Sequence, residues 1–553
     1  MGKGDDLNLD TVRERLVERL AKGEHEALVV EVLALLETLG RRTANLEFEL
    51  MRLRKSAQGR KSERLDADQL DLFLRLVAKE DKAPEGDEEG ESEDGAEAAA
   101  PYDGRIDAEL DRASEEEIEA ADQCDDPPSA EAEPEAPKTR GRRRPPEHLP
   151  VEKRIIEPDL SDYEGREMVC IGSVDAHTLD WRPGHFIHVH TERRKYAPRD
   201  GDGPVVIAPP PPQVIIRGLA EAGLLAHVIV SKYGDHLPLN RLVKIFARAG
   251  VKVTAPTMVG WLRRCAELLE PLVNALGQEV REAYLLQTDD TGIQVLDVDA
   301  DGGSKRGHIW GYLGDQRLAY FEYTPNWKAD AARNFLMHRE GPTQADAYKG
   351  YDWVFNRLGS KAVEIGCWAH ARRYFVEALE GGDARAAVPL RWIQRLYVLE
   401  RKAKERGISP EKLAGLRNKL GRPELNRIFR WIAEHHESEP PSSPLARAMT
   451  YAINQREALI RYLDDGLIPI DNTGAERALR GIAVGRHNWL FAGSDSGGER
   501  AAIMYSLIRT CELNGVEPWE YLRDVLMKLA QGWPAARVGE LLPHRWAGAQ
   551  TAT

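Results

Sequence analysis

From Val29 to Leu53 apolar residues fall on a seven-residue repeat, with Val29, Leu36, Thr43 and Leu50 at one seam position and Val32, Leu39, Leu46 and Leu53 at the other. This stripe predicts one helix that either zips to a second copy or packs on its own chain, with the polar Thr43 weakening the seam. A basic tract follows, Lys55, Arg60, Lys61 and Arg64 in KSAQGRKSERL. Periodicity then vanishes over residues 81–137, whose Glu, Asp, Ala, Gly and Pro content and near lack of aromatic residues predict disorder. Alternation returns at 151–212, as in HFIHVHTERRKYAP, and predicts a small β-rich module closed by the proline run APPPPQ. His188 and His190 share one face of that strand, which fits an exposed strand at least as well as a metal site.

Residues 217–275 switch to helical spacing in three blocks, GLAEAGLLAHVIVSKYG, LPLNRLVKIFARAG and TAPTMVGWLRRCAELLEPL. Gly250 ends the second block, Thr254 caps the third, and Pro256 falls in its first turn. The pattern suits a helix-turn-helix that points Thr257, Arg263 and Arg264 at DNA and Val259, Trp261 and Leu262 inward, and it equally suits an ordinary packed helical pair. Next come three strand-like runs, YLLQTDDTGIQVLDV, RGHIWGYLGD and RLAYFEYTPN, then the helix KADAARNFLMHRE, the strand TQADAYKGY, the strand AVEIGCW and the helix AHARRYFVEAL. Three strands followed by alternating helices and strands predict an α/β sheet of the ribonuclease H type, with Asp289 on its first, central strand and Asp346 on the fourth, beside it.

Charge changes the picture in one respect. The chain's 553 residues carry a net charge of −15, which taken whole argues against a nucleic-acid partner. Residues 81–140 alone hold 23 Asp and Glu against 5 Lys and Arg, so the rest of the chain is slightly basic. The acidic stretch ends in KTRGRRRPPEHLP, where Arg140, Arg142, Arg143 and Arg144 suit an arm in a DNA minor groove or a charged linker end. Five scattered cysteines without a CxxC pair exclude a disulfide framework, and no run approaches the roughly 18 apolar residues of a membrane span. A soluble, cytoplasmic and nucleoid-associated protein is expected.

The candidate chemistry lies in acids. Side chains alternate along a strand, so only one of Asp289 and Asp290 points into a given site, and either one alone suits a turn as well as a ligand. Glu476 follows Thr473 at capping-box spacing, while Asn472, Glu476 and Arg480 recur every fourth residue along one helix. Clustered carboxylates repel, so a stable ionised cluster calls for cations, and hard oxygen donors favour Mg²⁺ or Mn²⁺. Two such ions about 3.5–4 Å apart serve in-line displacement at phosphorus. Cys367 and His370 in CWAHARR have ligand-like spacing but suit core and cap roles better, and GSDSGGER lacks the GK[ST] ending of a nucleotide loop.

Together, LDADQLDLF, LLAHVIVSKYGDHLPLNRLVKIFARAGV, QTDDTGIQVL, QADAYKGY, CWAHARRYF, YLDDGLIPIDNTGAERALRGIAVGRHNWLFAGSDSGGERAAIMYSLI and LNGVEPWEYLRDVL make the chain similar to the insertion-sequence-sixty-six family of DDE-type transposases. The resemblance implies a catalytic, metal-binding triad of Asp289, Asp346 and Glu476 on a ribonuclease H-like core, holding two Mg²⁺ or Mn²⁺ ions. It implies a helical insertion between the last two acids, whose basic first part suggests DNA contact: residues 361–430 hold 16 Lys and Arg against 8 Asp and Glu. Arg372, Arg373, Arg477 and Arg480 join Arg142, Arg143, Arg144, Thr257, Arg263 and Arg264 as expected DNA contacts. The family's cysteine-rich zinc element is reduced here to Cys170, so no zinc is expected; Asp290 and Gly292 stand where the family more often shows Glu and Pro.

The expected organisation is a heptad helix and basic tract (1–80), an acidic linker with basic arm (81–147), a β-rich module and spacer (148–212) and a helix-turn-helix region (213–278). A first core part (279–377), a helical insertion (378–465) and a last core part with C-terminal helices (466–553) complete it. The expected function is metal-dependent 3′-end cleavage and strand transfer of an insertion sequence. The alternatives are a non-catalytic dimeric DNA-binding regulator and a metal-dependent nuclease without strand joining. Expected partners are element-end and target DNA, a second copy through the heptad helix and accessory proteins of the same element, with no membrane.

Overall fold

The computed structural model describes residues 212–550 apart from short gaps at 217, 298, 300–302 and 329, and before them only positions within 106–113, residues 184 and 186, and two short strands. The heptad helix, the basic tract, Cys170, His188, His190, Arg142, Arg143 and Arg144 lie outside the described residues. The chain divides into two compact units, one of residues 1–120, 211–243 and 253–553, the other of 121–210 and 244–252. Of the expected β-rich module, the second unit's described residues show one antiparallel pair, Lys195–Tyr196 with Val206–Ile207. In the same unit the Phe186 ring meets Phe246 edge-on at 4.9 Å.

The three helical blocks form α1 (Ala222–Tyr233), α2 (Leu239–Arg248) and α3 (Ala255–Glu282). Thr254 caps α3 by accepting from the Thr257 N–H, as its position predicts. The sequence suggests an end near Leu272, yet α3 runs ten residues further. Leu269, Leu272, Val273, Leu276 and Val280 keep one face buried past Pro271, and that burial outweighs the proline's missing donor. Trp261 and Leu262 point inward as expected, whereas Val259 is exposed and Met258 takes the inner place.

A five-stranded mixed sheet follows, made of β1 (Leu286–Leu296), β2 (Ser304–Gly314), β3 (Leu318–Thr324), β4 (Glu340–Gln344) and β5 (Lys361–Ile365). Its order is β3-β2-β1-β4-β5, with β1 in the centre; the first three strands run antiparallel, and β4 and β5 run parallel to β1. This mixed α/β arrangement is compatible with the expected core. Two short helices, α4 (Asp330–Leu336) and α5 (Asp352–Asn356), flank β4, and α6 (Trp368–Glu380) follows β5.

A helical region comes next: α7 (Ala387–Glu405), α8 (Pro410–Leu416), a π turn at Arg417–Gly421, α9 (Arg422–His436), α10 (Pro444–Asn454) and α11 (Arg456–Ile460). Its core continues from α6 through Phe375, Leu379, Trp392, Ile393, Ile428 and Met449. The chain then returns to the sheet as α12 (Thr473–Trp489), α13 (Asp495–Leu513), α14 (Pro518–Ala530) and α15 (Pro543–Gln550). Helix α13 lies along the edge strand β3, where Ser506 Oγ accepts from Phe321 N and Thr510 Oγ1 both accepts from Ala319 N and donates to Ala319 O. The open edge is thereby closed by side chains.

The expected disorder of residues 81–137 is corrected at one place. Ile106, Asp107, Glu109, Leu110, Arg112 and Ala113 are helical, and Ile106 and Leu110 are fully buried against Leu399, Ala403, Leu416 and Leu420. Ile106, Leu110 and Ala113 form an amphipathic stripe that the acidic composition hides. The acids beside it meet the basic insertion: Asp107 pairs with Lys402 and Arg406, both at 2.8 Å, and Glu109 with Lys419 at 2.7 Å. Cations expected to face DNA are thus shared with the chain's own acids. Leu110→Asp is expected to undo this docking, costing about 2 kcal/mol or more. Limited proteolysis checks it, with new cleavage within residues 106–113 while the rest stays protected.

Candidate active site

The strand β1 places Asp289 and Asp290 on opposite faces. Asp289 pairs in register with Gly311, and a Cβ on Gly311 would meet the Leu479 side chain of α12 at 3.0 Å, so Asp289 lies on the α12 side of the sheet. Asp290 lies on the other side, 2.8 Å from His308 Nδ1. Helix α12 comes this close because its second residue is Gly474, where a Cβ would sit 2.3 Å from Gln287 Oε1.

Asp346 sits two residues beyond β4 rather than on it, where Oδ1 accepts from Tyr348 N at 3.4 Å. Because β4 runs parallel to β1 with Gln287 opposite Gln344, the end of β4 comes out beside Asp289. Glu476 lies in the first turn of α12. The capping box is not formed. Glu476 is the fourth helical residue, Asn472 at the cap makes no capping side-chain bond, and Thr473 N and Oγ1 both donate to Asp471 Oδ1. The Glu476 carboxylate instead lies 3.7 Å from His370 Nε2 and 3.9 Å from Arg373 Nη2.

Asp346 and Glu476 both act on Asp289. Burial pushes the Asp289 carboxyl up to about 7; the Asp290 N–H opposes the rise, and the charges of Glu476, Asp346 and Asp290 add to it. Burial also raises Asp346, with the Tyr348 N–H opposing, Asp290 adding and Arg373 lowering. Even so, among the described residues no three His, Cys, Asp or Glu side chains stand close enough together to hold a metal ion. Glu476 instead faces His370 and Arg373 of α6. The donor chemistry still fits a hard divalent cation, because the set is all carboxylate oxygen and the most buried acid is held at a pKa that a cation would relieve.

A buried polar node ties these elements together. Asn472, fully buried, accepts from Cys367 Sγ at 3.0 Å and donates to Thr288 O at 3.4 Å. It therefore links the residue before Asp289, the start of α6 and the start of α12. Sequence reading put Asn472 on a shared face with Glu476 and Arg480; the structure buries Asn472 and leaves Arg480 exposed. It also missed His370 and Arg373 as neighbours of Glu476, although their three-residue spacing on a helix places both on one face.

The remaining expected DNA contacts divide. Thr257, Arg263, Arg264, Arg477 and Arg480 are exposed, with Arg263 and Arg264 both paired to Glu267. Arg372 acts on Tyr397 of α7, toward the helical region. In GSDSGGER, Ser494 caps α13 and Asp495 bonds Lys305 and the Tyr323 hydroxyl, which places a negative charge at that helix start.

A mixed sheet of this order, with Asp289 on its central strand and Asp346 just beyond the neighbouring one, is compatible with the core of a ribonuclease H-like enzyme. The family model described as Transposase IS66 family matches residues 217–500, and the IS66 C-terminal element matches residues 506–544. The chain belongs to the IS66 family of transposases. It is 34% identical over 411 residues to the uncharacterized protein y4qI of Sinorhizobium fredii, covering 72% of this chain and 76% of that protein. It is 28% identical over 542 residues to the uncharacterized protein y4hP of the same organism, covering 92% of this chain and 90% of that one. Among the described residues, no helix is long and apolar enough to cross a membrane.

Proposed function

We propose that this transposase cuts the ends of its mobile element by hydrolysis and then directs the freed 3′-hydroxyl against target DNA, with both steps run at one ribonuclease H-like site. The observation that carries the reading is that the charges of Asp346, just past the strand beside β1, and of Glu476, on a helix nearly two hundred residues beyond Asp289, both act on the buried Asp289 of the central strand. Asp289, Asp346 and Glu476 would hold two Mg²⁺ or Mn²⁺ ions, which supply activation of the attacking oxygen and stabilisation of the leaving one.

The chain's own residues supply position. Asp289 is fixed by the central strand, and Asp346 by its Tyr348 N–H bond. Arg477 and Arg480 project from the helix that carries Glu476, within reach of a phosphate backbone that approaches the acids. Thr257, Arg263 and Arg264 on α3 would read the element end as part of a helix-turn-helix, with Arg142, Arg143 and Arg144 as a minor-groove arm. The heptad helix would pair protomers so that two ends are held together.

The test is cleavage and joining of element-end DNA in Mg²⁺, comparing the wild type with Asp346→Ala. The expected result is loss of both products with DNA binding retained. Unchanged activity in Asp346→Ala would favour a regulator whose acids are structural, and cleavage without joining by the wild type would favour a nuclease.

A further inference from the structure

The helical segment at residues 106–113 is bound to the basic insertion by more than its apolar side chains. Ile106 and Leu110 are buried among Leu399, Ala403, Leu416 and Leu420 of α7, α8 and the π turn. At about 3.6 residues per turn, Asp107 and Glu109 fall on the two flanks of that apolar stripe. On one flank Asp107 meets Lys402 and Arg406, both at 2.8 Å; on the other Glu109 meets Lys419 at 2.7 Å. At the end of the segment the Ala113 carbonyl accepts from Lys412 Nζ at 2.8 Å. The Glu109 and Lys402 side chains are only 16% and 18% exposed, which leaves no room for a phosphate beside them while the helix is seated.

Resting on the reading of this chain as a DNA-binding transposase, we propose that residues 106–113 are an internal competitor of DNA. The acidic helix occupies a phosphate-binding face made of Lys402, Arg406, Lys412 and Lys419, and duplex DNA must displace it to bind there. Carboxylate and phosphate oxygens accept the same charge-assisted hydrogen bonds from these cations, so the two ligands exclude each other. Partly exposed ion pairs hold weakly by themselves, so the seat depends on Ile106 and Leu110 while the acids decide which surface is covered. Because the competitor belongs to the same chain, it returns to its seat without a bimolecular encounter. A single anion therefore leaves it in place, and a duplex, which offers several phosphates at once, lifts it.

The experiment is fluorescence anisotropy of a labelled DNA duplex titrated with the full-length protein in EDTA, over a series of salt concentrations. Leu110→Asp, which unseats the helix, is expected to bind on the order of tenfold more tightly than the wild type at low salt, with a slope of log affinity against log salt steeper by about two to three. The added negative charge alone works in the opposite direction. Leu110→Ala, which adds no charge, is expected to move the same way by less, and it carries the test should Leu110→Asp fail to fold. Lys412→Ala combined with Lys419→Ala is expected to cost little with the helix seated and to remove most of the gain in the Leu110→Asp background, whereas a general charge effect is additive and gives equal losses in both. Circular dichroism and limited proteolysis show whether each variant is folded and whether the helix has left its seat. Wild-type or weaker affinity in a folded, unseated variant overturns the proposal, as do equal losses from the lysine pair in the two backgrounds. If neither the wild type nor Leu110→Asp binds duplex DNA, the DNA-binding reading falls and the competitor with it; equal binding by both leaves that reading standing and removes only the competitor.

Discussion

Replacing Asp289 by Asn is expected to lower Mg²⁺-dependent cleavage and joining by at least about a thousandfold, and at the same time to stabilise the metal-free protein at pH 8. The two effects share a cause. Burial, with the charges of Glu476, Asp346 and Asp290 added, raises the Asp289 carboxyl from 3.8 to about 7. Between those values the native protein keeps a proton that the unfolded chain releases, so stability falls as pH rises through that window and the penalty is complete above it. Asparagine is nearly isosteric and carries no charge to bury. The melting temperature of Asp289→Asn in EDTA should therefore lie several degrees above wild type at pH 8, with the gap closing toward pH 5. Added Mg²⁺ should stabilise the wild type and leave the variant unmoved. Equal melting temperatures at pH 8, or surviving activity, would show that Asp289 is a structural residue.

How much of this was legible in the sequence differs by element. The sheet was legible, because strand alternation in QTDDTGIQVL and the Gly and Asp turns between runs set local limits that tertiary packing did not override. The separation of Asp289 from Asp290 follows from the same alternation. The end of α3 was not legible, since Pro271 is a local stop signal while the burial of Leu276 and Val280 depends on what the sheet presents to them. Nor was the docked helix at Ile106–Ala113, where three small contacts lie in a strongly acidic stretch and the basic helices that receive them lie some three hundred residues away. The role of Glu476 was half legible. Its spacing from Thr473 matched a cap, and only the fold shows Asp471 taking the cap bonds and leaving Glu476 to face α6. Cys367 read correctly as a core residue, but that its thiol bonds the cap residue of α12 depends on two helix starts meeting across 105 residues of sequence.

The support beneath the two aspartates gives the other large effect. Arg339, 2% exposed, lies just before β4, and its guanidinium serves five acceptors. Nη1 donates to the carbonyls of Arg281 and Ala283, Nη2 to those of Tyr284 and Pro342, and Nε to Thr343 Oγ1. Ala283 and Tyr284 lead into β1, and Pro342 and Thr343 belong to β4, so one side chain sets the stagger between the strands that carry Asp289 and lead to Asp346. Burial draws the guanidinium down to about 10, with Asp315 and Glu340 opposing, so it remains charged at neutral pH. Arg339→Met fills a similar volume but leaves several buried carbonyls without a donor, and is expected to cost about 3–5 kcal/mol. Arg339→Lys offers a point charge in place of a planar fork, cannot reach all five acceptors, and should recover only part of that loss. Urea unfolding followed by tryptophan fluorescence measures both, with the exposed Arg263→Ala as a control expected to shift stability by less than about 0.5 kcal/mol. Where Arg339→Lys is still fully folded, its cleavage rate should fall more than its DNA affinity, because the aspartates lose their relative position while the DNA-facing surface is untouched. A midpoint for Arg339→Met equal to that of the control would mean that the strands hold their stagger without the arginine, and the link from this buried charge to the acids would be lost.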